Sequence, residues 1–552
     1  MTHPVFPLCH DLVEELAEHR PAAATMWGIP GHDHRWDDIS PAGIATFRTF
    51  VVNARSRLQA LPPATEPWDR LAVDIALTWA DQMIDEVDSG LWFRFLGHVA
   101  SPFQMIHLTL THMDRSTPEG EAAVRARLAA MPEALDPYKQ ALAHGLTIGE
   151  RASARQVRSC IEQGHSLVEN RLLHLVDGPE ADVATDAYAA LTAWLEETYL
   201  PQADPTDGVG EARYLPAARA FLHDELDLDA TYAWGWEAVH ELYTDLVDVL
   251  GRVRPGASVA EAVEAFRSDP DTTSPDPDTF LAQVRAWQDD ALDKLQDVLP
   301  VPPIARELSI ERAPKGLPPG AWYMRPSEDG ARPGKVQYSL RDGPVPIFDQ
   351  QSTACHEGFP GHHLQLAIQT TLHGRLSRVH RMAFQCMGFA EGWALYAERL
   401  VDEHDGYESD LQRAGYLVNQ LARACRVVLD IGLHTGRPIP DDVPLPRRSS
   451  SGADTGVEPG ATWTYERAVD FMTEIGGLRR EVSESEITRY LGWPGQAISY
   501  AVGMRRLLDL REAFLADGGT LPDFHERVLS SGMVGLGQVA QTVLGASPAR
   551  RP

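Results

Sequence analysis

Cys355-His356-Glu357-Gly358-Phe359-Pro360-Gly361-His362-His363-Leu364-Gln365 is the stretch around which the rest of the chain is arranged. It begins with His-Glu, the opening of the helix motif in which two imidazoles bind Zn2+ and the Glu between them activates water. The second His of that motif stands one turn on, on the same face, and here Pro360 occupies its position. His362 and His363 are the remaining candidates. At ~100° per residue, His362 points away from His356 on a regular helix, while His363 points the same way but ~10 Å further along the axis. Neither can share an ion with His356 at Zn–N bonds of ~2 Å. A metal site therefore requires an irregular helix. Pro360 supplies a cause, since it has no N–H and its ring clashes with the carbonyl of His356; Gly361 relieves the strain. A bulge absorbing two extra residues returns His362 to the face of the ordinary second His. His356 and His362 are the expected ligands, with His363 as the fallback.

A third ligand is expected from a later segment. Phe389 to Leu400 reads as a helix that carries two carboxylates, Glu391 and Glu398, on one face. Two His and Glu391, with one position open to water, make a catalytic zinc set, and Glu357 beside it is placed to act as general base. Glu398 either supports the site or belongs to a solvated face paired with a basic side chain.

His-Glu-x-x-Pro-Gly-His-His-x-Gln, followed by Glu-Gly-Trp-Ala-Leu-Tyr-x-Glu, resembles the bacterial family catalogued as domain of unknown function 885. That family is similar in fold to the zinc carboxypeptidase Taq and thimet-oligopeptidase families. The resemblance implies a mostly α fold: a large helical body split by a long groove, with a small β-sheet beside a zincin-type metal helix. It also implies that the third ligand is the Glu on the downstream helix, which maps onto Glu391, with Glu398 just behind it. The resemblance covers nearly the whole chain, and its two core motifs are specific.

Composition sets the outer bounds. The 552 residues are 43% hydrophobic, enough for a large core, and contain no apolar run long enough to span a membrane. The first twenty or so residues are acidic in part and lack an apolar core, so no secretory signal is expected. Five scattered cysteines fit reduced thiols in a cytoplasmic protein. Cys355 beside His356 invites a nucleophile, but a small apolar residue packing the metal helix is the expected role. A net charge of −30 argues against nucleic acid or an anionic membrane as partner. No oligomeric state follows from the sequence.

Residues 1–300 read as a helical body. Stripes at helical spacing run through His10–His19, Trp68-Leu71-Ile75-Trp79-Met83, Arg125–Ala130, Pro137–Leu142, Val183–Tyr199 and Thr231–Leu250. The acidic, Pro-rich segment 269–278 reads as a loop. Residues 301–552 read as the metal-binding catalytic half of the same compact unit. Glu307–Arg312 and Lys335–Leu340 are short strands between Gly/Pro turns at 316–320 and 332–334. Their free edge either pairs with an extended peptide or only packs. The resembled family carries an Asn near Ser339, a departure here. A helix over Leu411–His434 brings Arg423, Arg426, Asp430 and His434 to helical spacing. The first three suggest a buried ion-pair network; His434 either reaches a reacting carbonyl or serves as a favourable end charge.

The Pro- and Gly-rich stretch 438–462 reads as an inserted loop, longer than the family's connection, either a lid or an ordinary surface loop. Pro494-Gly495-Gln496-Ala497-Ile498-Ser499-Tyr500 resembles another family motif, and Tyr500 and Tyr490 are the candidates for an oxyanion donor. The expected activity is zinc-dependent hydrolysis of a peptide or amide. The alternatives are a biosynthetic or detoxifying enzyme acting on one small amide, and a catalytically inactive peptide-binding scaffold.

Overall fold

Helix makes up most of the chain and strand very little, as expected of a mostly α protein. The computed structural model describes residues 3–170, 175–313 and 320–545. The apolar stripes read in the sequence are helices, including Val5–His19, Pro67–Asp88 and Leu228–Val253. In Pro67–Asp88 a proline fills the first turn, where its missing N–H costs nothing, and Ile75 and Trp79 are buried together with Ala72, Ala76 and Ala80. Among the described residues, no helix is long and apolar enough to cross a membrane.

The chain divides into two units, Met1–Asp207 with His373–Phe384, and Gly208–Leu372 with Gln385–Pro552. The boundary read in the sequence near residue 300 falls inside the second unit. The change of texture there marks the start of the sheet, not a change of packing partner. Helix Leu228–Val253 packs along Asp410–Thr435, and helix Pro277–Leu295 packs under the sheet, so both belong with the second unit. In the first unit, Phe103, Leu110, Tyr138, Leu142, Val157, Tyr188 and Leu191 form one apolar core. Arg127 is buried in that unit, with its guanidinium over Trp36 and donating to the backbone carbonyls of Pro21 and Arg35.

The second unit holds a three-stranded sheet: β1 (Leu308–Arg312), β2 (Ala321–Met324) and β3 (Gly334–Tyr338). The order is β1-β3-β2. β1 runs parallel to β3 with Leu308 opposite Gly334, and β2 runs antiparallel to it with Ala321 opposite Tyr338. β1 and β3 match the expected strands; β2 is new, being too short for alternation to register. The expected turn at 316–320 lies, apart from Gly320, outside the described residues, as does the C-terminal stretch from 546. Ile310, Val336 and Tyr338 pack on Phe280, Leu281 and Val284 of helix Pro277–Leu295 and on Ala354. Ala354 belongs to the helix that carries His356 and Glu357, so the sheet fixes where that helix lies.

Six further helices build the site: α1 (Gln350–Glu357), α2 (His362–Thr371), α3 (Met387–Glu403), α4 (Asp410–Thr435), α5 (Arg480–Gly492) and α6 (Ser499–Ala516). α3 is buried on nearly every face, as its apolar composition all round requires. It meets α6 at Gly392 and Gly503, where an added Cβ would strike the opposing backbone.

The stretch 438–462 is not purely surface. Its ends pair across Pro438 and Thr462, Ile439 and Ala461 share a backbone hydrogen bond, and Ile439, Leu445, Thr455 and Val457 are buried. Gly and Pro content hid a compact loop closed on its own side chains.

Candidate metal centre

The expected bulge in the metal helix is instead a complete break. α1 stops at Glu357, α2 starts at His362, and Gly358–Gly361 turn the chain between them. Gln288 secures the end of α1, donating to the Ala354 carbonyl at 2.8 Å and accepting from the Phe359 N–H. The Gly361 N–H returns to the Cys355 carbonyl at 2.9 Å. A Cβ on Gly361 would strike the carbonyl oxygens of Cys355 and His356, so only glycine permits this return. The Pro360 carbonyl accepts from the Trp393 indole at 3.1 Å, which ties the break to α3.

This break brings His356 and His362 together and turns His363 away. The His356 and His362 rings stand 4.8 Å apart, edge to face. Glu391 Oε2 lies 3.2 Å from His356 Nε2 and 3.5 Å from His362 Nε2, and the three ligand atoms lie within 4.8 Å of one another. Ligands ~2 Å from a tetrahedral ion stand ~3.4 Å apart, so this donor set fits a zinc-sized cation. His363 is fully buried instead, its Nε2 at 3.1 Å from the Ala305 carbonyl and its Nδ1 at 3.1 Å from Tyr323 Oη on β2. Burial pushes its pKa down to about 4.

Glu398 is buried, not solvated. Its Oε1 takes His356 Nδ1 at 2.7 Å, while its Oε2 accepts from Ser352 Oγ and from Gln420 Nε2 at 3.1 Å. A carboxylate on Nδ1 fixes the imidazole and aims Nε2 at Glu391 and His362. Burial opposes a charged His356, but the bonds to Glu391 and Glu398 outweigh it and push that group up to about 9. Burial likewise raises Glu391, and the bonds from His356 and His362 overturn it, leaving the carboxyl below its usual range.

Glu357 follows His356 and has no hydrogen-bond or ion-pair partner among the described residues. Burial raises its pKa against the opposing pull of His362 and His356. A raised, unengaged carboxylate beside a candidate metal set can take up and return a proton. Tyr500 lies with its ring 6.2 Å from that of His356 and nearly parallel. Burial, then the charge of Glu391, pushes its hydroxyl up, so it remains a protonated donor. Cys355 is fully buried and its thiol is pushed up by that burial, which suits a packing residue.

Two sequence candidates do not join the cluster. His434 Nε2 is engaged at 3.0 Å by the Tyr490 carbonyl and Nδ1 at 3.4 Å by the Val209 N–H, so it cannot serve a reacting carbonyl. Tyr490 Oη donates to Glu486 at 2.7 Å and accepts from Arg426 at 3.1 Å, so it cannot serve as an oxyanion donor. Nor do Arg423, Arg426 and Asp430 pair with one another. Arg426 pairs with Glu486 at 3.0 Å, and Asp430 accepts from Tyr214 and the Gly495 N–H. A helix fixes spacing on its own face, but the partners come from other helices. Ser352, Gln420 and Glu486 were missed, although each sits one turn from a residue already singled out (His356, Arg423 and Tyr490).

A family model described as "Bacterial protein of unknown function (DUF885)" matches residues 21–543. A crystal structure described as "the putative lipoprotein from Colwellia psychrerythraea" is similar to this chain with a TM-score of 0.82 at 20% identity, covering 98% of each chain. A second structure, "a putative lipoprotein of unknown function from Shewanella oneidensis", gives a TM-score of 0.70 at 16% identity and covers 97% of this chain and 99% of that one. At these identities the likeness is one of fold. No curated protein matches the chain. With more than nine-tenths of its length inside the family model, the chain belongs to the bacterial family of unknown function DUF885.

Proposed function

We propose that the protein is a zinc-dependent hydrolase of peptide or amide bonds. The observation that carries this reading is the convergence of His356 Nε2, His362 Nε2 and Glu391 Oε2 beside the unpartnered carboxylate of Glu357. A bound Zn2+ supplies Lewis-acid polarisation of a carbonyl and a lowered pKa for water. Glu357 removes the proton from the attacking water and returns it to the leaving amine. Tyr500, with no hydrogen-bond partner among the described residues, donates to the oxygen on which charge develops. Glu398, Ser352 and Gln420 hold His356 in the productive tautomer. A binding scaffold has no use for an unpaired base beside the candidate metal ligands, which disfavours an inactive role.

Similarity to the zinc carboxypeptidase Taq and thimet-oligopeptidase families, and the substrate groove it implies, belong to this proposal. It is supported by the paired motifs at His356 and Glu391. A cytoplasmic location is also proposed, on the five unpaired cysteines; the two neighbours' description as lipoproteins is the opposing observation, and cell fractionation decides between them.

Elemental analysis of the purified chain, followed by a screen of peptides and small amides, tests the activity. The expected result is one zinc per chain, and cleavage that a chelator removes and Zn2+ restores. A chain that takes up no metal, or that hydrolyses equally well after chelation, overturns the proposal.

A further inference from the structure

The second unit carries three arginines beside the candidate centre and too few carboxylates to occupy them. Glu486 serves both Arg426, at 3.0 Å, and Arg489, at 2.9 Å. Tyr490 Oη takes Arg426 Nε, and Gln496 takes Arg489 Nη1. Arg426 Nη1 remains buried without a partner. Arg423 donates Nη1 to the Asn419 carbonyl at 3.2 Å, has no ion pair among the described residues, and keeps a buried, unpartnered Nε. Leaving charged donors unpaired in a protein interior is costly, so a ligand that takes them up binds well.

These groups face the reaction centre. Arg426 sits over the Tyr500 ring at 4.6 Å, and Tyr500 lies 6.2 Å from the His356 ring. Gln420, one turn before Arg423 on α4, reaches Glu398 behind His356. Arg423 stands between Gln420 and Arg426 along that face, so the helix directs it to the same side. The charge of Arg423 is felt at Glu357, Glu398 and Tyr500, which agrees with this placement.

We propose that Arg423 and Arg426 form a carboxylate-binding subsite, so that the preferred substrate carries a free carboxylate close to the bond being cut. The proposal rests on the hydrolase reading and names its substrate class. A residue of extended chain spans ~3.5 Å, so a carboxylate one or two residues beyond that bond reaches the guanidinium groups. Arginine suits the task through its planar, paired donors. The chain carries a net charge of −30 and repels anions at long range, so an anionic substrate needs local positive charge here.

Titration calorimetry on the full chain tests this without requiring turnover, so the hydrolase reading can fail independently. The probes are N-acetyl-L-phenylalanine, its amide, and the α-amide of N-acetyl-L-glutamic acid, each measured before and after chelator treatment. At least one carboxylate probe is expected to bind ~10–100-fold more tightly than the neutral amide in both states. Whichever one does so identifies an α-carboxylate or an acidic side chain as the group recognised. Arg423→Gln, which leaves the Glu486 network untouched, is expected to remove most of that preference; Arg426→Lys is expected to reduce it. No binding, equal affinity for amide and carboxylate, a preference present only before chelation, or a preference unchanged in Arg423→Gln overturns the proposal.

Discussion

Two buried histidine–carboxylate groups lie in the second unit, built from similar residues with opposite results. Around His434, most polar atoms are engaged: its ring nitrogens meet the Tyr490 carbonyl and the Val209 N–H, and Asp430 Oδ2 accepts from Tyr214 at 2.7 Å and from the Gly495 N–H at 2.9 Å, while Asp430 Oδ1 has no hydrogen-bond partner. Around His356, Nδ1 is fixed by Glu398, while Nε2, His362 Nε2 and Glu391 Oε2 converge and Glu357 stays unengaged. The first arrangement locks helices together. The second brings three donors to one point, the arrangement on which the proposed metal site rests. What separates them is the convergence of His356 Nε2, His362 Nε2 and Glu391 Oε2 on one point, not residue type, burial or the presence of an unsatisfied atom.

The sharpest way to break this contrast is to remove the surplus base. Glu357→Gln keeps the shape and should retain metal while turnover falls by ~10²–10⁴-fold. Metal content and kcat measured on the same preparation check this, and a variant that keeps most of its activity assigns the base elsewhere. His362→Ala should abolish metal uptake, as should Glu391→Ala, whereas His363→Ala should leave it nearly intact and cost stability through the lost contacts to Tyr323 and Ala305. Elemental analysis after dialysis reads both arms. Metal lost with His363 and kept without His362 would reverse the assignment. A smaller effect is expected of Glu398→Ala, which removes the carboxylate behind His356 without touching the ion: affinity should fall ~10–100-fold. Competition with a zinc chelator of known affinity measures it, and complete loss of metal would make Glu398 a ligand.

How much of this was legible in the sequence depends on how local the cause is. The Pro360-Gly361 interruption could be read, because a missing N–H and a forbidden helix angle act within one turn. It led to the pairing of His356 with His362, although the chain makes that pairing by ending one helix and starting another. The helical stripes were likewise local. The partners of Arg426, Tyr490 and His434 were not legible, because they come from Glu486 on α5 and from backbone groups at Val209 and Tyr490. A helix face announces which residues share a side, but not what the fold lays against that side. β2 escaped for a different reason: four residues whose register is dictated by β3 carry too little pattern of their own. The 438–462 loop misled because its composition resembles solvent-exposed chain, while its Ile439 and Val457 are buried.

The quieter of the two clusters can be tested through pH. Asp430 is fully buried, and that burial pushes its carboxyl up from 3.8 to about 7, against the bonds from Tyr214 and the Gly495 N–H. In the unfolded chain the group titrates near 3.8, so between 3.8 and about 7 the folded chain holds the extra proton. Stability from this group is therefore fully present below 3.8 and is lost as pH rises through about 7. The loss is at most ~4 kcal/mol at ~1.4 kcal/mol per pH unit, and relaxation around the ionised group reduces it to ~1 kcal/mol. Asp430→Asn keeps an oxygen to accept from Tyr214 and Gly495 but cannot ionise. Its stability relative to the native chain should thus improve by ~1 kcal/mol from pH 5 to pH 8. Urea denaturation at the two pH values gives the difference directly. A variant whose relative stability is unchanged over that range would mean that Asp430 is already ionised and paired in the fold at pH 5, and that the His434 cluster, like the one at His356, holds charge in reserve.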